Sequence, residues 1–154
     1  MPAQQANITT TATPLRAYGA IYWTTPAATS NETNTPIKAA GTTAAQGTAN
    51  KVTQATTNRL TFTGAGTRTF SVTATVGISA AAPTVSKLHI YKGGSVVTGS
   101  TVSRAISAPS DIGAMAISCF VDLSNTEYVE LWCETNDADD ITIQDGVLSI
   151  QSVD

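Results

Sequence analysis

The sequence predicts an all-β fold in which two antiparallel sheets pack face to face, and three observations carry that expectation. Apolar residues alternate with small or polar ones along several segments, which is the period of a strand because successive side chains point to opposite faces. These segments are short, and Gly, Pro, Asn and Asp clusters separate them at the spacing of a sandwich. No stretch carries the 3.6-residue period of an amphipathic helix. With 154 residues, 42% of them hydrophobic and only 12% charged, the chain is long enough to bury one core without disulfides or metals and too apolar for disorder.

Taken in order, residues 1–16 have no period and many Thr and Ala, and form an amino-terminal arm ahead of one domain over residues 17–154. Tyr18 to Trp23 is the first strand, stopped by Thr24-Thr25-Pro26. From Ala27 to Thr57 only Ile37 and Val52 are apolar anchors, so a long loop with two short edge strands is expected. Leu60 to Thr63 resumes the β pattern, and Gly64-Ala65-Gly66-Thr67 turns into a strand over Thr69 to Ile78. Lys87 to Lys92 follows, then the turn Gly93-Gly94-Ser95, a short piece at Val96-Val97, a weaker strand over Val102 to Ile106 and a loop containing Pro109. The clearest strands are Ala114 to Leu123, Tyr128 to Thr135 and Ile141 to Val153. In the last, Ile141 and Ile143 are out of phase with Leu148 and Ile150, and a β-bulge at Gly146 would restore the facing.

The outward faces divide these strands into two groups. Phe70, Val72, Ala74, Val76 and Ile78 point inward opposite Thr69, Ser71, Thr73 and Thr75; Met115, Ile117, Cys119, Val121 and Leu123 point inward opposite Ala114, Ala116, Ser118 and Phe120. Water-facing strand positions normally collect charge, so this uncharged set is expected to be covered. By contrast, Glu130 and Glu134, with Tyr128 and Trp132 between them, and Lys87, His89 and Tyr91 form outward sets that are expected to be solvated. The pattern is that of a protomer in an obligate assembly. Charge is also lopsided along the chain: residues 1–110 hold eight bases and one acid, net +7, and residues 111–154 hold ten acids and no base, net −10. Scattered single bases argue against nucleic acid, and the asymmetry points to complementarity within an assembly.

The run KLHIYKGGSVV from Lys87 and the run AISCFVDLSNTEYVELWCETNDADDITIQDGVLSIQ resemble the carboxy-terminal half of the tumour-necrosis-factor-like jelly roll, shared with complement-type globular heads. Lys92-Gly93-Gly94 takes the place of that family's hairpin. Asn125 to Leu131 takes the place of its strand entered through Gly-Asp, with Thr126-Glu127 departing from that pair. The similarity covers roughly the last 70 residues. It implies a homotrimer packed through an inner sheet that holds the Phe70, Ala114 and Ile141 strands, with the Lys87 and Tyr128 strands in the outer sheet. The trimer interface is then Thr69, Ser71, Thr73, Thr75, Ala114, Ala116, Ser118 and Phe120. It also places Cys119 and Cys133 on facing sheets about 10 Å apart, beyond the Cα separation of about 7 Å that a disulfide tolerates, so both are expected as free thiols.

Catalytic chemistry is not expected. The single histidine, His89, has no second histidine for a metal pair or dyad and is expected at the surface; no G-x-S-x-G or phosphate-cradling G-x-x-x-x-G-K occurs. Asp137, Asp139 and Asp140 form a weak hard-oxygen candidate for Ca²⁺ against the simpler reading of a solvated turn, so no cofactor is expected. Trp132 and Tyr128 beside Glu130 and Glu134 suggest either a sugar platform or stiffening of the outer sheet. No apolar run approaches the roughly 20 residues of a membrane span, and MPAQQANITTTATP has neither the basic region nor the apolar core of a signal peptide. Synthesis in a cytosol is expected, with the sequons at Asn7 and Asn31 unused. The Thr/Ala/Asn-rich style looks like that of a bacteriophage virion protein. The leading expectation is a trimeric capsid decoration protein bound to the major capsid protein, with Ile8, Leu15 and Arg16 on an arm that reaches over the shell or a neighbouring subunit. A receptor-binding fibre knob recognising host glycan is the alternative, and a cellular lectin or ligand domain stands behind both.

Overall fold

The computed structural model describes residues 15–109 and 111–153, and among these twelve strands and no helix form. In chain order they are β1 (Tyr18–Thr25), β2 (Ala28–Thr29), β3 (Ile37–Lys38), β4 (Thr42–Ala45), β5 (Val52–Thr53), β6 (Arg59–Phe62), β7 (Arg68–Ala80), β8 (Thr84–Lys92), β9 (Ser95–Ile106), β10 (Gly113–Leu123), β11 (Tyr128–Thr135) and β12 (Ile141–Ser152). They make two antiparallel sheets. Sheet I has the order β10-β7-β12-β1-β4, with β2 also on β12; sheet II has the order β5-β6-β11-β8-β9, with β3 also on β11. The Phe70, Ala114 and Ile141 strands are therefore neighbours in one sheet and the Lys87 and Tyr128 strands in the other, as the alternation and the family resemblance imply.

The core lies between the sheets. Phe70, Val72, Ala74 and Ile78 of β7, Leu148 and Ile150 of β12 and Ile21 of β1 meet Leu60 and Phe62 of β6, Leu88 and Ile90 of β8 and Val129 and Leu131 of β11, all at most 2% exposed. Each such side chain contributes about 1.5–3 kcal/mol of transfer free energy. Phe62 and Phe70 join the layers edge to face, with ring centroids 5.1 Å apart, the geometry that aromatic quadrupoles favour.

Three local features differ from the sequence expectation. The segment after β1 holds four short strands, not two, because its Thr and Asn side chains supply anchors that apolar periodicity does not reveal. Asn58, 3% exposed, donates to the carbonyls of Ala39 and Gly41, and Thr29 Oγ1 accepts from Ala40 N at 2.9 Å. Val96 to Ile106 is one strand, because Ser100 Oγ repairs the ladder where β9 bulges. Between the pairs His89–Thr101 and Tyr91–Val96 the register slips, and Ser100 Oγ accepts from Ile90 N at 3.2 Å and donates to Ile90 O at 3.1 Å. The bulge in β12 falls at Gln144, two residues before the glycine: Ile143 pairs with Ile78 and Asp145 with Gly77. Gly146 still carries the conformational demand, at φ 147° with Thr75 O only 2.6 Å from where a Cβ would stand.

Candidate functional site

The outward face of sheet I is built row by row from register. Ala116, Thr75, Val147 and Tyr22 are successive cross-strand partners on one row; Ser118, Thr73, Ser149 and Ala20 make the next; Phe120, Ser71, Gln151 and Tyr18 make the third. None is charged. Cross-strand partners stand on one face, so the eight residues expected at an interface, Thr69, Ser71, Thr73, Thr75, Ala114, Ala116, Ser118 and Phe120, share a single surface on β7 and β10. Three large rings stand on it: Phe120 is 69% exposed, Tyr18 42% and Tyr22 40%. Ile112, 60% exposed, flanks it. Two shallow depressions of about 420 and 620 Å³ lie on this face, the first over Tyr18, Ala20, Thr73 and Ser149, the second over Tyr22, Thr75, Val147 and Ile112. The carboxylates occur only at the borders, where Asp122 accepts from Thr69 Oγ1 at 2.6 Å and Asp145 from Gly77 N at 3.1 Å.

Sequence reasoning missed the contributions of β1 and β12 to this face. Tyr18, Ala20 and Tyr22 alternate with buried Ile21 and Trp23, so the period-2 signal was present in β1. In β12 the bulge hides it, since the phase of Val147 and Ser149 follows only once the extra residue is located.

The outward face of sheet II is not the solvated surface expected. Glu130 is 2% exposed, Glu134 7% and His89 6%. Glu130 Oε1 accepts from Arg59 Nε at 2.8 Å and lies 2.8 Å from Lys38 Nζ, while Oε2 accepts from Trp132 Nε1 at 3.2 Å. Glu134 pairs with Lys87, and its Oε2 lies 3.2 Å from His89 Nε2. Burial alone would raise the Glu130 carboxyl, but the bonds from Lys38, Arg59 and Trp132 outweigh it and hold the group below the usual glutamate value. Desolvation is likewise the main influence on His89 and lowers it against the attraction of Glu134. His89 is therefore a buried, bonded residue, with Nδ1 3.0 Å from Thr101 Oγ1. Tyr91 and Trp132 stack on each other with centroids 4.1 Å apart, and Arg59 lies 3.7 Å over the Tyr128 ring. One face of the Trp132 ring is taken by Tyr91 and one face of the Tyr128 ring by Arg59, contacts that stiffen the outer sheet.

Asp137, Asp139 and Asp140 form no metal-binding group, and among the described residues no three His, Cys, Asp or Glu side chains converge on a cation. Their loop is held by its own bonds: Thr84 Oγ1 donates to Asp137 Oδ1 at 2.5 Å, and Ala81 N donates to Asp140 O at 3.1 Å. Half-buried Asp139 is raised by desolvation and by neighbouring Asp137 and Asp140. Cys119 and Cys133 are free, on β10 and β11 of opposite sheets. Of the arm residues, Ile8 lies outside the described residues; Leu15 is 72% exposed, and its carbonyl accepts from Arg68 Nη1 at 3.4 Å. Arg16 is exposed, and its carbonyl accepts from Asn50 Nδ2 at 2.8 Å.

No family model matches the sequence, and no curated protein matches it either. Solved structures do share its fold. Murine APRIL in its pH 5.0 crystal structure is 6% identical with a TM-score of 0.60, over 88% of this chain and 99% of that one. Eiger TNF from S. frugiperda is 10% identical with a TM-score of 0.57, over 90% and 94%. The globular domain of a zebrafish complement 1qA protein is 11% identical with a TM-score of 0.50, over 90% and 98%. The fold is a tumour-necrosis-factor-like jelly roll.

Proposed function

We propose that this chain is a non-enzymatic structural protein that assembles as a homotrimer through the outward face of sheet I, and that the trimer decorates the outer shell of a phage head. The observation that carries the assembly is the uncharged face itself, with three exposed rings over a floor of Ala, Ser and Thr. Small side chains let neighbouring sheets approach closely, and the rings supply apolar area. A closed ring of three needs two different patches on each subunit that meet head to tail. Phe120 at the β10 end fits one patch, and the depression beside Tyr18 and Ala20 fits the other. On sheet II, ion pairs among the protein's own residues cover the outward carboxylates of β11, whereas the rings of sheet I have no such cover among the described residues.

The virion setting draws on the Thr/Ala/Asn-rich composition and on the absence of a catalytic group among the residues brought together. The second reading, a glycan-binding fibre knob, draws on the exposed turns at residues 45–48 and 55–57. Sedimentation velocity tests the assembly. A glutamate at Ala116 would bury an unpaired carboxylate in every copy, at about 3–5 kcal/mol each, so Ala116→Glu is expected to sediment as a monomer. Thr98→Glu, in the exposed bulged stretch of β9, is expected to stay trimeric. A wild-type monomer, or a trimeric Ala116→Glu protein, refutes the trimer. Immunogold labelling of virions separates shell from fibre, since label at the tail tip would refute decoration.

A further inference from the structure

We infer that Asp122 of one copy pairs with Arg16 of the next, and that this ion pair fixes the register of the head-to-tail contact; this rests on the trimer reading above. The two residues stand at opposite sides of a fourth row on the sheet I face. Asp122 pairs with Thr69 across β10 and β7, Val153 N donates to Thr69 O, and Ser152 N donates to Ala17 O. Ala17 is buried, so by alternation Arg16 stands on the outward side with Tyr18. A depression of about 270 Å³ agrees with that placement, since Arg16 lines it together with Ser71, Gln151 and Val153. The fourth row therefore reads Asp122, Thr69, Val153, Arg16. It carries a carboxylate on the β10 side and a guanidinium on the β1 side, and both residues are exposed.

Within one copy the two charges do not meet. Three strand spacings separate β10 from β1, about 14 Å at about 4.8 Å each. Asp122 Oδ1 accepts from Thr69 Oγ1 at 2.6 Å, and the nearby ammonium of Lys92 is directed to the Asp122 carbonyl oxygen at 2.6 Å and to Glu127 Oε2 at 3.0 Å. Among the described residues, neither the Asp122 carboxylate nor the Arg16 guanidinium has an ion-pair partner. The proposed contact between copies brings them together. Phe120 and Tyr18 belong to the third row, so seating Phe120 of one copy beside Tyr18 of the next sets those rows at one height. Asp122 follows Phe120 by two residues, and Arg16 precedes Tyr18 by two. Because β10 and β1 run antiparallel to each other, through successive antiparallel pairings with β7 and β12, both steps lead toward the same end of the sheet, by about 7 Å. A threefold axis along the strands keeps that end in common, since rotation leaves height along the axis unchanged. Asp122 then faces Arg16 of the next copy at every contact. It is the only charged residue on β10, so no other charge of that strand competes.

Sedimentation velocity over a dilution series of the wild type, Asp122→Arg, Arg16→Asp and the doubly reversed protein tests this. Both residues are exposed, so the variants are expected to fold. Each single reversal sets like charges against each other at all contacts of the ring. At about tenfold per contact, the trimer association constant falls about a thousandfold, and both single variants run as monomers at concentrations where the wild type is trimeric. The double reversal restores an opposite pair at every contact, and the trimer with it. A trimeric wild type from which either single variant assembles equally well overturns the ion pair while the trimer stands. Single variants that dissociate, with a double variant that stays monomeric, show that the two residues do not face each other and overturn it too. A wild-type monomer overturns both readings.

Discussion

Glu130→Lys is the substitution on which the alternation of the sequence and the packing of the structure disagree most sharply. Alternation places Glu130 on the outward phase of β11, where reversing a charge should be silent. The structure holds its side chain at 3% exposure, with one oxygen shared by Lys38 and Arg59 at 2.8 and 2.7 Å. Arg59 and Lys38 are only 28% and 31% exposed, so losing the carboxylate leaves two cations partly desolvated, and the new ammonium adds a third among them. Removing one partner from such a buried arrangement costs about 3–5 kcal/mol, a large share of the roughly 5–15 kcal/mol that holds a domain together. Glu130→Gln keeps one acceptor oxygen for the two cations and loses the charge assistance and the bond from Trp132 Nε1, about 2–3 kcal/mol. Urea unfolding of the three proteins measures both differences, and a Glu130→Lys protein within about 0.5 kcal/mol of wild type, the ordinary range for surface changes, would refute the burial argument. The sign of the pH effect is fixed as well. The folded-state pKa of Glu130 is lowered, so the unfolded chain takes up that proton first. Its contribution is present above the unfolded value of about 4.3 and is lost as pH falls through the folded value. The stability gap between wild type and Glu130→Gln should therefore narrow in acid; a gap constant from neutral pH down to about pH 3 contradicts the pairing.

Thr126→Gly should stabilise the protein by about 1 kcal/mol, because Thr126 is a β-branched residue held at φ 71°, where an L side chain costs about 1–2 kcal/mol and glycine costs little apart from entropy; an unchanged urea midpoint would remove the strain argument. Gly146→Ala should destabilise by about 2–4 kcal/mol, since its Cβ would press on Thr75 O and the Val76 backbone at a φ that glycine favours, and a tolerated alanine would show that the bulge can relax. Two thiols per chain should titrate under denaturing, non-reducing conditions. In the native protein Cys133 should stay inert, since it is fully buried and desolvation pushes its thiol up to about 12; finding no thiol in the denatured chain would place the cysteines in a disulfide and contradict the two-sheet assignment.

These cases mark where sequence pattern is informative and where it stops. The phase of β7, β10 and β11 was legible because a period of two assigns each side chain to a face with no knowledge of the partner strand. The departure at Thr126-Glu127 was legible too, and the structure gives it a physical content: Thr126 occupies the left-handed position that glycine would fill without strain, and Glu127 Oε2 accepts from Ser124 N at 2.7 Å. The short strands between β1 and β6 were not legible, since they are tied down by polar side chains such as Asn58 that leave no apolar period.

Phase also says nothing about what lies above a face. The partners of Glu130 come from Lys38 and Arg59, distant in sequence and delivered by β3 and β6, which pair with the same strand β11; only topology brings them over the carboxylate. The same physics distinguishes the two outward faces. A buried carboxylate has to be matched by cations, and the chain supplies them over β11 of sheet II. Sheet I keeps its carboxylates, Asp122 and Asp145, at the borders, where hydrogen bonds from Thr69 and Gly77 hold them, and between them it exposes three aromatic rings on small neighbours. Burying those rings is favourable only if the covering surface brings no unpaired charge. In the proposed assembly, a second copy of the same uncharged face meets that condition at every contact.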